Sequence, residues 1–143
     1  MTVIVAGIDT SQSSERALRY ALAEAGPSGG EVVLAHVIPW SPFSFQTPSE
    51  NEHRHRERER EIEAAQAQLI DPAVARAAEA GVAARAVVRH GNPAETLLDI
   101  VREEKADAIV VGRSGDSGLK AAIFGSVANR LAHESPVPVT VVP

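Results

Sequence analysis

Two hydrophobic rhythms alternate along this chain. Short, near-continuous apolar runs rich in β-branched residues occur at Thr2–Ile8, Glu31–Ile38, Val82–Arg89, Asp107–Gly112 and Val137–Pro143. Runs of this length and composition predict strands buried on both faces. Between them, apolar residues fall three and four apart, the spacing that lines one face of a helix. Ala17, Leu18, Ala21, Leu22 and Ala25 form such a stripe after the first run, and Leu97, Leu98 and Val101 form another after the third. Ser126–Glu134 predicts a helix before the last run.

Local signals bound these elements. Ser11 or Ser13 can cap the first helix, and Gly26-Pro27 is expected to end it. Asn92 and Glu95 have the spacing of a capping box, with Pro93 at the first helical position, where the missing N–H would be unpaired anyway. A stripe of Ile62, Ala65, Leu69, Ala73 and Ala77 continues across Pro72. That predicts one kinked helix rather than two, because proline removes a hydrogen bond and bends the chain. Strand alternating with helix predicts an α/β fold. The expected form is a parallel sheet with helices on both faces and right-handed crossovers.

Two segments fall outside this rhythm. Pro39–Pro48 holds three prolines and two serines and reads as a loop. Glu50–Glu61 (ENEHRHRERERE) mixes both signs of charge densely and reads as a solvated helix start. His53 and His55 are two apart, which puts them on different sides of a helix and suits a shared metal poorly. Neither segment buries much apolar surface, so Pro39–Glu61 is expected to exchange its amides faster than the sheet. It is also a candidate lid or partner surface.

Composition narrows the function. The chain has 143 residues, enough for one domain with its own core. Aromatic residues make up 3% of it, too few to stack a run of bases, and the net charge of −5 gives no general attraction to nucleic acid or an anionic membrane. There is no cysteine, which removes disulfides and thiol chemistry. No apolar run approaches membrane-spanning length, and the start of the chain lacks a basic leader. A cytoplasmic, soluble protein is expected.

The candidate chemistry lies in Val111–Leu131, VGRSGDSGLKAAIFGSVANRL. Gly112 ends a strand, Gly115 follows it, and Gly125-Ser126 opens a helix. Ligands of open parallel sheets bind at the carboxyl ends of the strands, where the strand order reverses. A helix start there offers free N–H donors, and glycines let phosphate oxygens approach them. Ser126 adds a hydroxyl, and Arg113 and Lys120 can offset phosphate charge. A plain glycine-rich connection with a serine-capped helix explains the spacing equally well. The segment is not a Walker loop, because no lysine precedes Ser126.

Gly112-x2-Gly115-x9-Gly125-Ser126 resembles the G-x2-G-x9-G-[S/T] nucleotide motif of the universal stress protein family. VIVAGIDTSQSSERALRYAL resembles the family's first strand, the Asp after it and the first helix, VVLAHVI its second strand, GNPAETLLDIVREEKADAIVVG its third helix and fourth strand, and GSVANRLAHESPVPVTVVP its final helix and strand. The resemblance covers the chain as one domain, 1–143, except for the region from about Trp40 to Glu61. It implies a Rossmann-like five-stranded sheet in the order 3-2-1-4-5, which brings Asp9 beside Gly112. It also implies an adenine-nucleotide site, for ATP with Mg²⁺, formed by Gly7, Asp9, Val37, Val111, Gly112, Arg113, Gly115, Gly125, Ser126 and Val127.

A carboxylate at Asp9 would repel phosphate and so belongs at the nucleoside end, while a helix-capping carboxylate is the competing reading. His36, beside Val37, reads as a core or rim histidine. The implied function is a nucleotide-dependent regulatory module of the stress response, with no catalytic residues and no protein-held metal. The alternatives are a slow ATPase or nucleotide hydrolase, and a dimerisation scaffold without nucleotide. Asp116 is the only acid in the loop, without the partner that phosphoryl transfer requires. The final strand is apolar and proline-flanked, which suits a sheet edge; the family uses it for a homodimer.

Overall fold

The computed structural model describes residues 2–39, 48–113 and 126–143. The elements in chain order are β1 (Val3–Gly7), α1 (Gln12–Ser28), β2 (Glu31–Ile38), α2 (Pro48–Ala65), a π-helical turn (Gln66–Ile70), α3 (Asp71–Glu79), β3 (Ala83–His90), α4 (Pro93–Glu103), β4 (Ala108–Gly112), α5 (Ser126–Glu134) and β5 (Val139–Val142). The strands form one parallel sheet in the order β3-β2-β1-β4-β5. This is the Rossmann-like arrangement expected.

Successive strand residues face opposite sides, so each strand feeds two cores. Ile4, Ala6, Val32, Leu34 and Val110 pack under α1, the π turn and α3. Val5, Val33, Ala35, Ile109 and Val111 pack under α4 and α5. The stripe Ala17, Leu18, Ala21, Leu22 and Ala25 is buried as its spacing requires. Fully burying a side chain the size of Leu34 or Ile109 stabilises by roughly 1.5–3 kcal/mol, so both faces contribute. Among the described residues no helix is long and apolar enough to cross a membrane.

Three helices end in the same way. After α1, Gly29 has φ 66°, Gly30 N–H bonds the Ala25 carbonyl at 2.9 Å and Gly29 N–H bonds Gly26 at 3.2 Å. This is the paired bonding of a Schellman end. The helix thus runs past Gly26-Pro27, where the sequence was expected to stop it. Proline sits one residue before the helix's last residue and deletes only one terminal bond. The same pair of bonds closes α3 at Gly81 and Val82, and α4 at Lys105 and Ala106. Lys105 does so at φ 51°, the one non-glycine positive φ among the described residues.

The helix around Pro72 is continuous, as the apolar stripe predicts, but it carries an extra residue in one turn. Asp71 N–H bonds the Gln66 carbonyl, five residues back. The wider turn comes immediately before the proline, whose ring would otherwise meet the carbonyl four residues earlier. A stripe drawn at 3.6 residues per turn slips through such a turn. Ile70, absent from that stripe, is fully buried, while Ile62 is 37% exposed. On α2, His53 pairs with Glu57 and His55 with Glu59, each at 2.9 Å. These are the i,i+4 pairs of a solvated helix. Among the described residues no three His, Asp or Glu side chains gather for a metal.

Candidate functional site

The strand order reverses between β1 and β4, which lie side by side with Gly7 opposite Val111. Asp9 follows β1 and Gly112-Arg113 closes β4, so both leave the sheet at the same carboxyl edge. α5 joins two parallel strands, β4 and β5, so its amino end, Ser126, belongs to that edge as well.

Asp9 is held by the first turn of α1. Its Oδ1 accepts Ser11 N–H at 2.8 Å and the Ser11 hydroxyl at 2.5 Å. Ser11 Oγ in turn accepts Ser14 N–H at 3.2 Å, the N-cap bond. Ser14 Oγ closes the circuit by accepting Asp9 N–H at 2.8 Å. Ser11, not Ser13, is therefore the cap, and Asp9 buttresses it through an Asx turn. Asp9 is thus not itself the helix cap; one of its carboxylate oxygens holds the capping serine.

Gly112 has a packing reason of its own. A Cβ there would lie 2.5 Å from Ser13 Oγ, 2.7 Å from the Ser13 carbonyl carbon and 2.8 Å from Ser14 N. Only glycine lets the end of β4 touch the start of α1. Gly7 is a looser case on the other face, where a Cβ would lie 3.0 Å from Val111 Cγ1 and 3.4 Å from Leu97 Cδ1, side-chain atoms that need give only a few tenths of an ångström. The Val111 side chain is buried in the α4/α5 core, and Val37 and Val127 pack against that core partly buried. What Val111 can present at the sheet edge is therefore backbone. Arg113 is exposed, with its N–H bonded to the Val142 carbonyl at 2.7 Å. Ser126 is exposed at the first position of α5. Gly115, Asp116, Lys120 and Gly125 lie outside the described residues, as does most of the Pro39–Pro48 loop.

α5 is aligned by Arg130. Its guanidinium bonds Glu134 at 2.5 Å on its own helix, and Glu95 at 3.2 Å and the N-cap oxygen of Asn92 at 3.3 Å on α4. The bonds to Glu134 and Glu95 hold the Arg130 pKa above the ordinary arginine value. Asn92 accepts Glu95 N–H at 3.1 Å, as the capping spacing predicts, but the Glu95 carboxylate turns to Arg130. Spacing gave no signal for Arg130.

His36, read from the sequence as a core or rim histidine, is partly buried at the end of β2. Its Nδ1 lies 2.7 Å from the Ile8 carbonyl oxygen, just before Asp9.

Comparison with known proteins agrees with this geometry. The family model described as universal stress protein family matches residues 1–143. The universal stress protein MJ0531 of Methanocaldococcus jannaschii is 31% identical over 139 residues, covering 97% of this chain and 80% of that protein. Universal stress protein YxiE of Bacillus subtilis is 37% identical over 75 residues, and the match spans about half of each chain, 52% of this one and 51% of that one. Among solved structures, UspA of Lactobacillus plantarum superposes with a TM-score of 0.84 at 20% identity, over 99% of this chain and 97% of that one, and shares the fold. The Archaeoglobus fulgidus universal stress protein in complex with dAMP gives 0.67 at 25% identity, over 100% and 98%. A universal stress protein in complex with cAMP gives 0.71 at 27% identity, over 99% and 95%. With the sheet order, the reversal between β1 and β4, and a family match over its whole length, the chain belongs to the universal stress protein family.

Proposed function

We propose that residues 1–143 act as one domain that binds an adenine nucleotide at the carboxyl edge of β1 and β4 and serves as a nucleotide-dependent regulatory module. The observation that carries this reading is the meeting of Asp9 and Gly112-Arg113 at the point where the strand order reverses. Open parallel sheets take ligands in that crevice. The relatives solved with dAMP and cAMP support an adenine nucleotide as the ligand class. Those two ligands differ in sugar hydroxyls and in phosphate linkage, and they share the base.

In this arrangement Asp9, anchored by Ser11, accepts hydrogen bonds from the nucleoside. The Val37 and Val111 backbone flanks the base. Arg113, Ser126 and the glycine segment with Gly115 and Gly125 receive the phosphates, for which ATP is the proposed ligand. Mg²⁺ would arrive with the triphosphate and be held chiefly by its oxygens and by water.

The test is mass analysis of ligand released from purified, denatured protein, followed by calorimetric titration with ATP and adenosine. Gly125→Val is expected to weaken ATP far more than adenosine. Ser126→Ala is expected to be milder, removing one hydroxyl contact worth about 0.5–1.5 kcal/mol. Folded Gly125→Val binding ATP as tightly as the parent would remove the phosphate role of the glycines.

A further inference from the structure

In a parallel ladder every second residue gives its N–H to the carbonyl of one residue of a given neighbouring strand and its own carbonyl to the N–H two places further on. β1 and β2 keep this pattern up to Gly7 opposite Ala35. Ile8 N–H still reaches the Ala35 carbonyl, at 2.8 Å. The next rung would run from Val37 N–H to the Ile8 carbonyl. That carbonyl instead takes the His36 ring, with Nδ1 at 2.7 Å. A carbonyl oxygen only accepts, so the ring donates from Nδ1–H.

The consequence falls on Val37. Alternate residues of β2 turn their amides toward β1, as Glu31 N–H does in bonding the Thr2 carbonyl. Val37 is on that side, one rung beyond the last paired residues, and its N–H is not taken into the ladder. An unpaired amide at a partly buried strand end carries a desolvation cost unless a ligand or water meets it. Without the imidazole, the Ile8 carbonyl is the acceptor that the ladder register offers it.

We infer that the His36 imidazole replaces the last rung between β1 and β2, and so holds Val37 N–H open as a donor for the base of the bound nucleotide. This rests on the adenine-nucleotide reading above. A backbone N–H suits a ring nitrogen of adenine, the part shared by the ligands of the two relatives. His36 is thus a positioning residue: it acts through the Ile8 carbonyl and Val37 without contacting the ligand.

The test is amide hydrogen exchange at Val37, read by NMR on the ligand-free protein, together with titration by AMP and by ribose 5-phosphate. His36→Leu frees the Ile8 carbonyl, so Val37 N–H should close onto it and exchange more slowly than in the parent. A purely structural loss would make exchange faster. His36→Asn keeps a donor where Nδ1 stands and should restore the parent's exchange. AMP affinity should fall about tenfold in His36→Leu, the value of one hydrogen bond, and recover in His36→Asn, with ribose 5-phosphate unchanged throughout. Unchanged or faster Val37 exchange in folded His36→Leu overturns the inference, whatever AMP does. If exchange slows as expected but the parent binds no AMP, the replaced rung stands and the nucleotide reading fails.

Discussion

Gly112 and Ser13 touch where the end of β4 meets the first turn of α1: a Cβ on Gly112 would stand 2.5 Å from the Ser13 hydroxyl oxygen. The neighbours behind that hydroxyl are backbone atoms of Ser13 and Ser14, which cannot swing aside. The first glycine of the segment is thus needed to close the fold, independently of any ligand.

Gly112→Ala should therefore destabilise the protein by roughly 1–3 kcal/mol, as overpacking does. Thermal unfolding followed by circular dichroism measures it. A melting temperature equal to the parent's would mean that α1 can retreat from β4 at no cost. Loss of binding in this variant would not by itself report on phosphate, which is why Gly125→Val is the better probe.

Asp9→Ala should cost both stability and binding, because Asp9 Oδ1 holds the N-cap serine. Asp9→Asn keeps an oxygen for Ser11 and removes the charge. The asparagine variant should melt close to the parent, and the alanine variant lower by about 1 kcal/mol, the value of a helix cap. Equal melting of both would show that Ser11 caps α1 unaided.

Lys105 ends α4 at φ 51°, a conformation costing a side-chain-bearing residue about 1 kcal/mol or more. Lys105→Gly removes that strain but loosens the unfolded chain. A net gain of about 0.5 kcal/mol is expected from chemical denaturation, with an unchanged slope. A net loss would mean that the lysine side chain contributes more than its backbone costs.

The two sheet edges differ in charge. On β3, Arg85 bonds Glu31 at 2.7 Å and also pairs with Glu104, and Arg89 bonds Glu103 at 2.5 Å. β5 carries only Val139, Thr140, Val141 and Val142. Charged edges resist strand pairing and apolar ones invite it, so a homodimer, where one forms, is expected to pair through β5. Pro138 and Val142 direct their carbonyls to β4, so Val141 N–H points to the open edge. Val141→Pro should spare the β4–β5 ladder, and a parent that sediments as a dimer through β5 should become monomeric in this variant. A dimer that survives the change uses another surface.

On the β3 edge, the hydrogen bond from Arg89 holds the Glu103 carboxyl below the ordinary carboxylate range. A carboxylate with a lowered folded pKa stabilises fully above its unfolded pKa. That stabilisation is lost as pH falls through the folded value. Arg89→Gln should raise the Glu103 midpoint in a carbon-detected NMR titration. An unmoved midpoint would show that the pair is not formed in solution.

The strands, the cap at Asn92, a serine cap at Ser11 or Ser13 and the buried stripe of α1 were legible in the sequence. Each is set by residues within about four positions of one another, and local periodicity and capping chemistry need no partner from elsewhere. The sheet order followed from resemblance to the family, and the structure bears it out. The π turn before Pro72 was not legible, because an extra residue in a turn leaves the 3.6-residue pattern outwardly intact; Ile70 is buried alongside the expected Ala73 and Ala77, while Ile62 is exposed. Lys105 was equally hidden, since nothing in its side chain announces a left-handed backbone.

At the site, the sequence by itself determined which chemistry was on offer: a carboxylate after the first strand, glycines after the fourth, and a serine opening a helix. Tertiary structure alone decided what Gly112 and His36 do. Gly112 is required by Ser13, which lies on another element far away in the chain. His36 meets the Ile8 carbonyl across 28 residues, at the place where two strands part. Both depend on how strands and helices register after packing, and register is a property of the assembled sheet rather than of any one segment.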